Sequence, residues 1–461
     1  MSDDDLTIIG QRIGYGDYPA DLFGISRADR RRHLFVEGQT GSGKSTLLAN
    51  MILQDIARGD GVCLIDPLGQ TAELVLERIP PWHTNHVRVF DVADLSWPLG
   101  LNVLAGHGPD HRHRAVAAAV DAFASVWDLS LSRTPQLLDI LGYGIAALME
   151  IPDATLLHLP RFLTDDDYRE RCLQRLTDRY VRDYWQSDFG TRGKRERREA
   201  CSSVLNKLGE LRRDPVMRNI FGQSRNAIDA PFMLQNRSIM IANLAIGEIG
   251  RENARLIGAF LISQFALAAA ARAQAIAGSA GAGIAVHPDF YLYLEEFGDL
   301  VTPGFGPLLS QSRAGRVSVS CFTQHQAQLP AGVLDAVFGN IGNLVAFRVG
   351  AEDAERLARE FDHSFVPGEL TGLREHEIAV KLPKRAGNPP YPFRAFTLPL
   401  QAPWFGRRRT IVEQSRIKYG REREKVERSI ARIIAPATPA SRPRSSTRAR
   451  TRRPGEAVRG L

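Results

Sequence analysis

The chain has 461 residues, 44% hydrophobic and 24% charged, the balance of a soluble globular protein with one large α/β domain and an insertion, or with two or three domains. Its four cysteines, Cys63, Cys172, Cys201 and Cys321, have neither metal-ligand nor C-x-x-C spacing. That excludes a cysteine-built metal or redox scaffold and reads as free thiols in a reducing, cytoplasmic compartment. The net charge of +7 is uneven: residues 405–461 hold 17 Lys and Arg against 5 Asp and Glu, so the first 404 residues sum to −5 and the basicity belongs to the tail.

In chain order, nothing like a signal peptide follows the acidic start, and residues 1–33 read as a polar, turn-rich approach segment. Residues 33–37 form a short buried strand, and residues 47–56 a helix. Between them stands Gly38-Gln39-Thr40-Gly41-Ser42-Gly43-Lys44-Ser45, followed by Thr46. This is G-x-x-x-x-G-K-[ST] in the strand-to-helix setting that such a loop needs. The glycines let backbone N–H groups converge on phosphate oxygens. Lys44 reaches the β- and γ-phosphates of ATP, and the Ser45 hydroxyl ligates Mg²⁺. Residues 61–66 and 87–91 are further apolar strands, so residues 34–106 read as the first part of a parallel-sheet ATPase core.

Residues 107–235 carry helical patterns and no convincing strand, and read as an inserted all-α domain. Helices are expected over 116–127, 135–149, 165–185 and 199–212. The basic run 192–198 is either a solvated helix face or a nucleic-acid contact. Strands return at 238–242, 289–294, 316–322, 343–349 and 377–381, with helices at 255–272 and 352–361 and a small-residue loop at 277–283. The core therefore resumes over 236–404. The apolar stretch 256–271 is short for a membrane span and reads as a core helix. After residue 405 come a charged helix at 413–434 and an Arg-rich, Pro/Ser/Thr-rich end at 435–461 that cannot bury a core. That end is a solubilising tail or a sequence-blind phosphate binder.

A P-loop needs an acid at the end of a neighbouring strand. Asp66 is one candidate. Glu295-Glu296, after the most apolar strand, is the better one, with Glu296 polarising the attacking water and Glu295 near Mg²⁺. Gln324, at the end of the strand 316–322, is placed to bond a γ-phosphate or water. Arg313, on the helix before that strand, would point out of the subunit toward a neighbour's site.

These motifs, in this order, resemble the P-loop ATPases of the FtsK/HerA superfamily, and most closely the TraG/TraD-type coupling proteins of type IV secretion and conjugation. The matching stretches are 23–33, 59–70, 291–297, 310–315, 323–330 and 338–350. The resemblance implies a RecA-like α/β motor with an inserted all-α domain, assembled as a homo-oligomeric ring, a hexamer, that pumps DNA. By position it makes Lys44, Glu296, Gln324 and Arg313 catalytic, with Arg313 acting in trans. Glu295 stands where the family has Asp, one methylene longer, and Leu68 and Gln70 replace the His and Asp of its D-P-H-G-D segment. The membrane-anchored members begin with transmembrane helices, a feature without a counterpart in this sequence. The alternative is a coupling or adaptor ATPase that moves a protein substrate, with residues 107–235 as the docking surface for a relaxase, a nuclease or another partner. A nucleotide-gated scaffold with weak turnover is a third.

Overall fold

Strands β3 (Leu34–Glu37), β4 (Gly61–Asp66), β7 (Phe290–Leu294) and β8 (Val317–Thr323) are buried along their whole length. Continuous apolar runs of this kind belong to parallel strands covered on both faces. The structure, a computed structural model, describes residues 6–14, 21–278, 287–302, 305–384 and 388–434. It places these strands in one 11-stranded sheet of order β2-β1-β11-β10-β9-β3-β8-β7-β4-β6-β5. The stretch from β9 (Asn343–Ala346) through β5 (Val87–Asp91), including β6 (Ile239–Asn243), is parallel. The remaining edge, β10 (Glu377–Lys381), β11 (Phe393–Thr397), β1 (Leu6–Arg12) and β2 (Leu22–Ser26), is antiparallel.

That edge corrects the reading of residues 1–33 as an approach segment. Two strands form there: β1 pairs with β11, almost 400 residues on, Gly10 with Thr397 and Arg12 with Ala395, and β2 pairs with β1 as the outermost strand. The small loop expected at 277–283 lies mostly outside the described residues, as does the tail 435–461.

Alternate strand residues serve two apolar layers. Val62 and Leu64 face the P-loop helix, Lys44–Ala57, while Cys63 and Ile65 face the long helix Arg251–Gly278. The long helix meets the length and apolarity of a membrane span, but 72% of its most apolar window is buried inside the molecule, as expected of a core helix.

Between β5 and β6 the described residues form helices and no strand. Their apolar residues join the sheet's own layer: Phe123 meets Phe260 of the long helix edge-to-face at 5.2 Å. The helix expected at 165–185 starts on its cap Asp165 but is broken into Asp166–Leu173, Arg179–Asp183 and a π-helical turn, because Asp178 caps a new start within it. The charged helix of 413–434 is likewise two, Arg408–Tyr419 and Arg423–Ile434, interrupted at Gly420.

One buried ion pair fixes the far end of the P-loop helix. Arg30, 2% exposed, donates to Asp55 at 2.6 and 2.9 Å and to the Tyr293 hydroxyl at 2.5 Å, and its guanidinium lies 3.7 Å from the Tyr291 ring centre. Removing one partner of such a pair strands a buried charge and costs about 3–5 kcal/mol. The pair links the P-loop helix to β7, the strand that leads into Glu295 and Glu296.

Candidate nucleotide site

The loop 38–43 leaves β3 and turns into the P-loop helix. Gly41 and Gly43 have φ of 77° and 113°, a region L side chains rarely enter. Gly43 is also crowded: a Cβ there would sit 2.5 Å from Nδ1 of His376. Gly38 has the same restriction, since its Cβ would meet Phe347 at 2.5 Å. The fourteen-residue helix that begins at Lys44 turns its N-terminus to the loop, where free N–H groups and the helix dipole favour phosphate. Lys44 Nζ donates to the carbonyls of Gly38 (2.5 Å) and Gln39 (3.0 Å). Burial lowers the lysine's pKa, while Glu296, Glu295 and Glu37 act to raise it and keep the cation.

The structure brings both acids to this loop. Glu295 Oε1 accepts from Ser45 Oγ at 2.8 Å and from Thr71 Oγ1 at 2.9 Å. Its Oε2 is buried and meets no donor among the described residues. Burial, then the nearby Asp66 charge, pushes the Glu295 carboxyl up to about 7. A buried carboxylate oxygen without a donor, beside the serine hydroxyl of a P-loop, fits a divalent cation.

Asp66, the other candidate, is engaged elsewhere. Its carboxylate accepts from the N–H groups of Leu68 (2.9 Å), Gly69 (2.8 Å) and Ala72 (2.9 Å), and so fixes the start of the helix Gln70–Leu76.

Glu296 is half-buried and holds a left-handed backbone, φ 45°, an unfavourable conformation for a glutamate. Its Oε1 accepts from Gln324 Nε2 at 2.6 Å, and Gln324 Oε1 accepts from Thr40 Oγ1 at 2.9 Å. A chain of hydrogen bonds thus crosses the loop mouth from Thr40 through Gln324 to Glu296.

Arg313 does not join this group. It is exposed, just after the helix Phe305–Ser312, and makes no ion pair among the described residues. The seven residues of β8 separate it from Gln324, about 23 Å at 3.3 Å per residue.

Several groups at the loop come from places that sequence reasoning did not single out. Arg348 donates from Nε to Gln39 Oε1 at 3.2 Å, and its carbonyl accepts from Gln39 N at 2.9 Å. It is the cation after β9 that this same chain brings to the loop. His376 donates its backbone N–H to Ser42 O at 3.0 Å. Thr71 supplies the second hydroxyl on Glu295; its place beside the Asp66–Gln70 segment is the one signal that could have marked it.

The basic run 192–198 heads the helix Lys194–Arg213 and is partly neutralised: Arg195 pairs with Glu199 at 2.9 Å and Arg197 with Asp166 at 3.0 Å. That favours a solvated helix face.

Similar solved structures support the architecture. The plasmid coupling protein TrwB in complex with the GTP analogue GDPNP is 16% identical, with a TM-score of 0.60 over 87% of this chain and 97% of that one. TrwB in complex with ADP and Mg²⁺ is also 16% identical, with a TM-score of 0.58 over 87% and 96%. VirB4 of Thermoanaerobacter pseudethanolicus is 14% identical, with a TM-score of 0.52 over 88% and 99%. No family model and no curated protein sequence matches the chain. The resemblance read from the motifs is borne out at the level of the fold: the chain has the RecA-like P-loop α/β architecture of the conjugative coupling protein TrwB and of VirB4.

Proposed function

We propose that the chain is a Mg²⁺-dependent ATPase that works as a ring of its own copies, a hexamer, and moves DNA. The observation that carries this reading is the hydrogen-bonded chain Thr40–Gln324–Glu296 across the mouth of a phosphate-binding loop. Lys44 and the loop N–H groups bind the β- and γ-phosphates. Glu296 takes the proton of the attacking water, and Gln324 holds that carboxylate and senses the γ-phosphate. Ser45 and Glu295 would hold Mg²⁺, which when bound neutralises charge on the phosphates. Arg313, remote from its own P-loop, completes the site of a neighbouring copy. In domain terms, residues 34–106 and 236–404, with strands β1 and β2 on their sheet edge, are the motor core of a cytoplasmic protein, 107–235 its all-α insertion, and 405–461 the basic extension that meets DNA phosphates.

ATP hydrolysis measured without DNA, with single-stranded DNA and with double-stranded DNA, alongside the oligomeric state, tests the proposal. The expected result is a DNA-stimulated rate that disappears in Lys44→Ala. A rate indifferent to DNA sinks the translocase reading, and a Lys44→Ala protein of unchanged rate sinks the ATPase itself.

One observation favours a second reading, an ATPase that moves a protein. A cleft of about 940 Å³ opens between the helices Arg112–Val126 and Pro135–Met149, with Val116, Val120 and Leu138 in its wall and Leu131 74% exposed at its side. A specific protein partner retained through this cleft, with no DNA affinity in the chain, would replace the DNA reading.

A further inference from the structure

Beside the P-loop lies a carboxyl pair that the catalytic arrangement does not use. Glu37 ends β3, directly before Gly38, and is 0% exposed. Its Oε2 accepts from Gln326 Nε2 at 2.8 Å, and its Oε1 meets no donor among the described residues. Asp353, in the first turn of the helix Ala351–Glu360, stands close enough for its charge to raise the pKa of this carboxyl. Asp353 Oδ2 in turn lies 3.7 Å from His325 Nδ1. The two acids therefore face consecutive residues, Gln326 bonded to Glu37 and His325 beside Asp353, directly after Gln324.

We propose that Glu37 and Asp353 are positioning residues, a buried carboxyl clasp that grips His325 and Gln326 and thereby fixes Gln324 between Thr40 and Glu296. The inference rests on the ATPase reading above. Two neighbouring buried carboxyls are favoured with one of them protonated, because two like charges repel. Burial, then the Asp353 charge, holds the Glu37 carboxyl well above the usual glutamate range, and the Gln326 bond and the Arg356 charge oppose this. The charged and titratable groups around the clasp are Asp353 and Arg356 on the helix Ala351–Glu360, His325 after β8, and Lys44 on the P-loop helix. Arg356 also pairs with Asp335 at 2.8 Å. Loss of the proton leaves two facing carboxylates, which relax by releasing the Asp353–His325 side, and Gln324 loses its anchor.

Two variants separate the clasp from simple packing. Glu37→Gln keeps an acceptor for Gln326, supplies an N–H to Asp353 and cannot titrate. Glu37→Ala removes everything. In the full-length protein, Glu37→Ala is expected to lower kcat about 10- to 100-fold, the usual cost of a lost orienting partner, with little change in KM for ATP. Glu37→Gln should restore most of the rate and remove the decline of kcat toward alkaline pH expected of the parent. Glu37→Ala combined with Gln324→Ala should be no slower than Gln324→Ala alone, because the two act through one group. An unchanged alkaline decline in Glu37→Gln, a harmless Glu37→Ala, or defects that multiply would overturn the proposal.

Thermal unfolding supplies a readout that needs no turnover. A folded-state carboxyl raised above its unfolded value loses stability as pH rises. The parent's Tm should therefore fall relative to that of Glu37→Gln as pH is raised from about 4.5, the ordinary glutamate value. A Tm difference that does not change with pH refutes the clasp even if the chain hydrolyses nothing; absence of hydrolysis alone refutes the ATPase reading.

Discussion

The two ends of strand β8 are finished differently. Where Thr323 and Gln324 leave the strand, their side chains reach Thr40, Glu296 and Gln328, and the backbone carbonyl of Thr323 accepts from Gly38 N at 3.2 Å. Where the strand begins, Arg313 is exposed and without an ion pair among the described residues, about 23 Å away at strand rise. One end is tied up by side chains of its own chain; at the other, the arginine has no ion pair among the described residues. An arginine has five N–H donors in a rigid fork suited to phosphate, and under the function proposed above that phosphate would be one bound by another copy.

The largest expected effect tests that open end. Arg313→Ala should slow hydrolysis about 10³- to 10⁵-fold, as loss of a trans arginine does. Mixing it with Glu296→Gln subunits should restore part of the rate, because each variant supplies what the other lacks. No recovery in rings shown to mix would leave Arg313 without a role and the comparison broken. Next comes the finished end: Glu296→Gln should lower kcat about 10²- to 10⁴-fold while nucleotide binding persists. If binding is lost as well, Glu296 holds the loop together and is not the base.

Arg348 sharpens the contrast, since it is the cation delivered in cis. Arg348→Ala should weaken nucleotide binding about tenfold, the scale of one charge-assisted hydrogen bond, with kcat nearly unchanged. A kcat loss as large as that of Arg313→Ala would move the finger into the same chain. The last effect concerns pH. With its carboxyl pushed up to about 7, Glu295 is protonated below that pH, and a cation must displace the proton. Apparent Mg²⁺ affinity should then fall by up to about tenfold per pH unit below 7. Glu295→Gln should bind Mg²⁺ weakly and without this slope. A parent affinity flat from pH 7 down to 5.5 would remove Glu295 from the cation site.

What the sequence revealed, and what it hid, follows the range of the interactions. The P-loop, the pair Glu295–Glu296 and Gln324 were legible because each sits at the end of a local apolar run, and parallel strands bring all their C-terminal ends to one side of the sheet. The strands β1 and β11 were not legible: β1 pairs with β2 and β11 with β10, but the edge they form is closed only by their own pairing across nearly the whole chain. Arg348, His376 and Glu37 escaped for a related reason. Nothing in their neighbours' spacing announces that β9, β10 and the loop after β8 converge on residues 38–43. The helix of 165–185 failed locally instead, through one aspartate, Asp178, that caps a new start more strongly than the apolar spacing continues the old helix.

The antiparallel edge also has a mechanical consequence. Gln54 of the P-loop helix exchanges two hydrogen bonds with the backbone of Ile8 in β1, at 2.8 and 2.9 Å. Asn50, one turn earlier, donates to the carbonyls of Leu398 and Pro399, each at 3.1 Å. With His376 bonded to Ser42, the phosphate loop and its helix are laced to the sheet margin at three heights. The helix cannot pivot without dragging that margin along or snapping these bonds. Under the function proposed above, the margin would serve as an outrigger that carries motion at the nucleotide out to Leu6–Arg12, and slower amide exchange there upon ATP addition is the sign to look for.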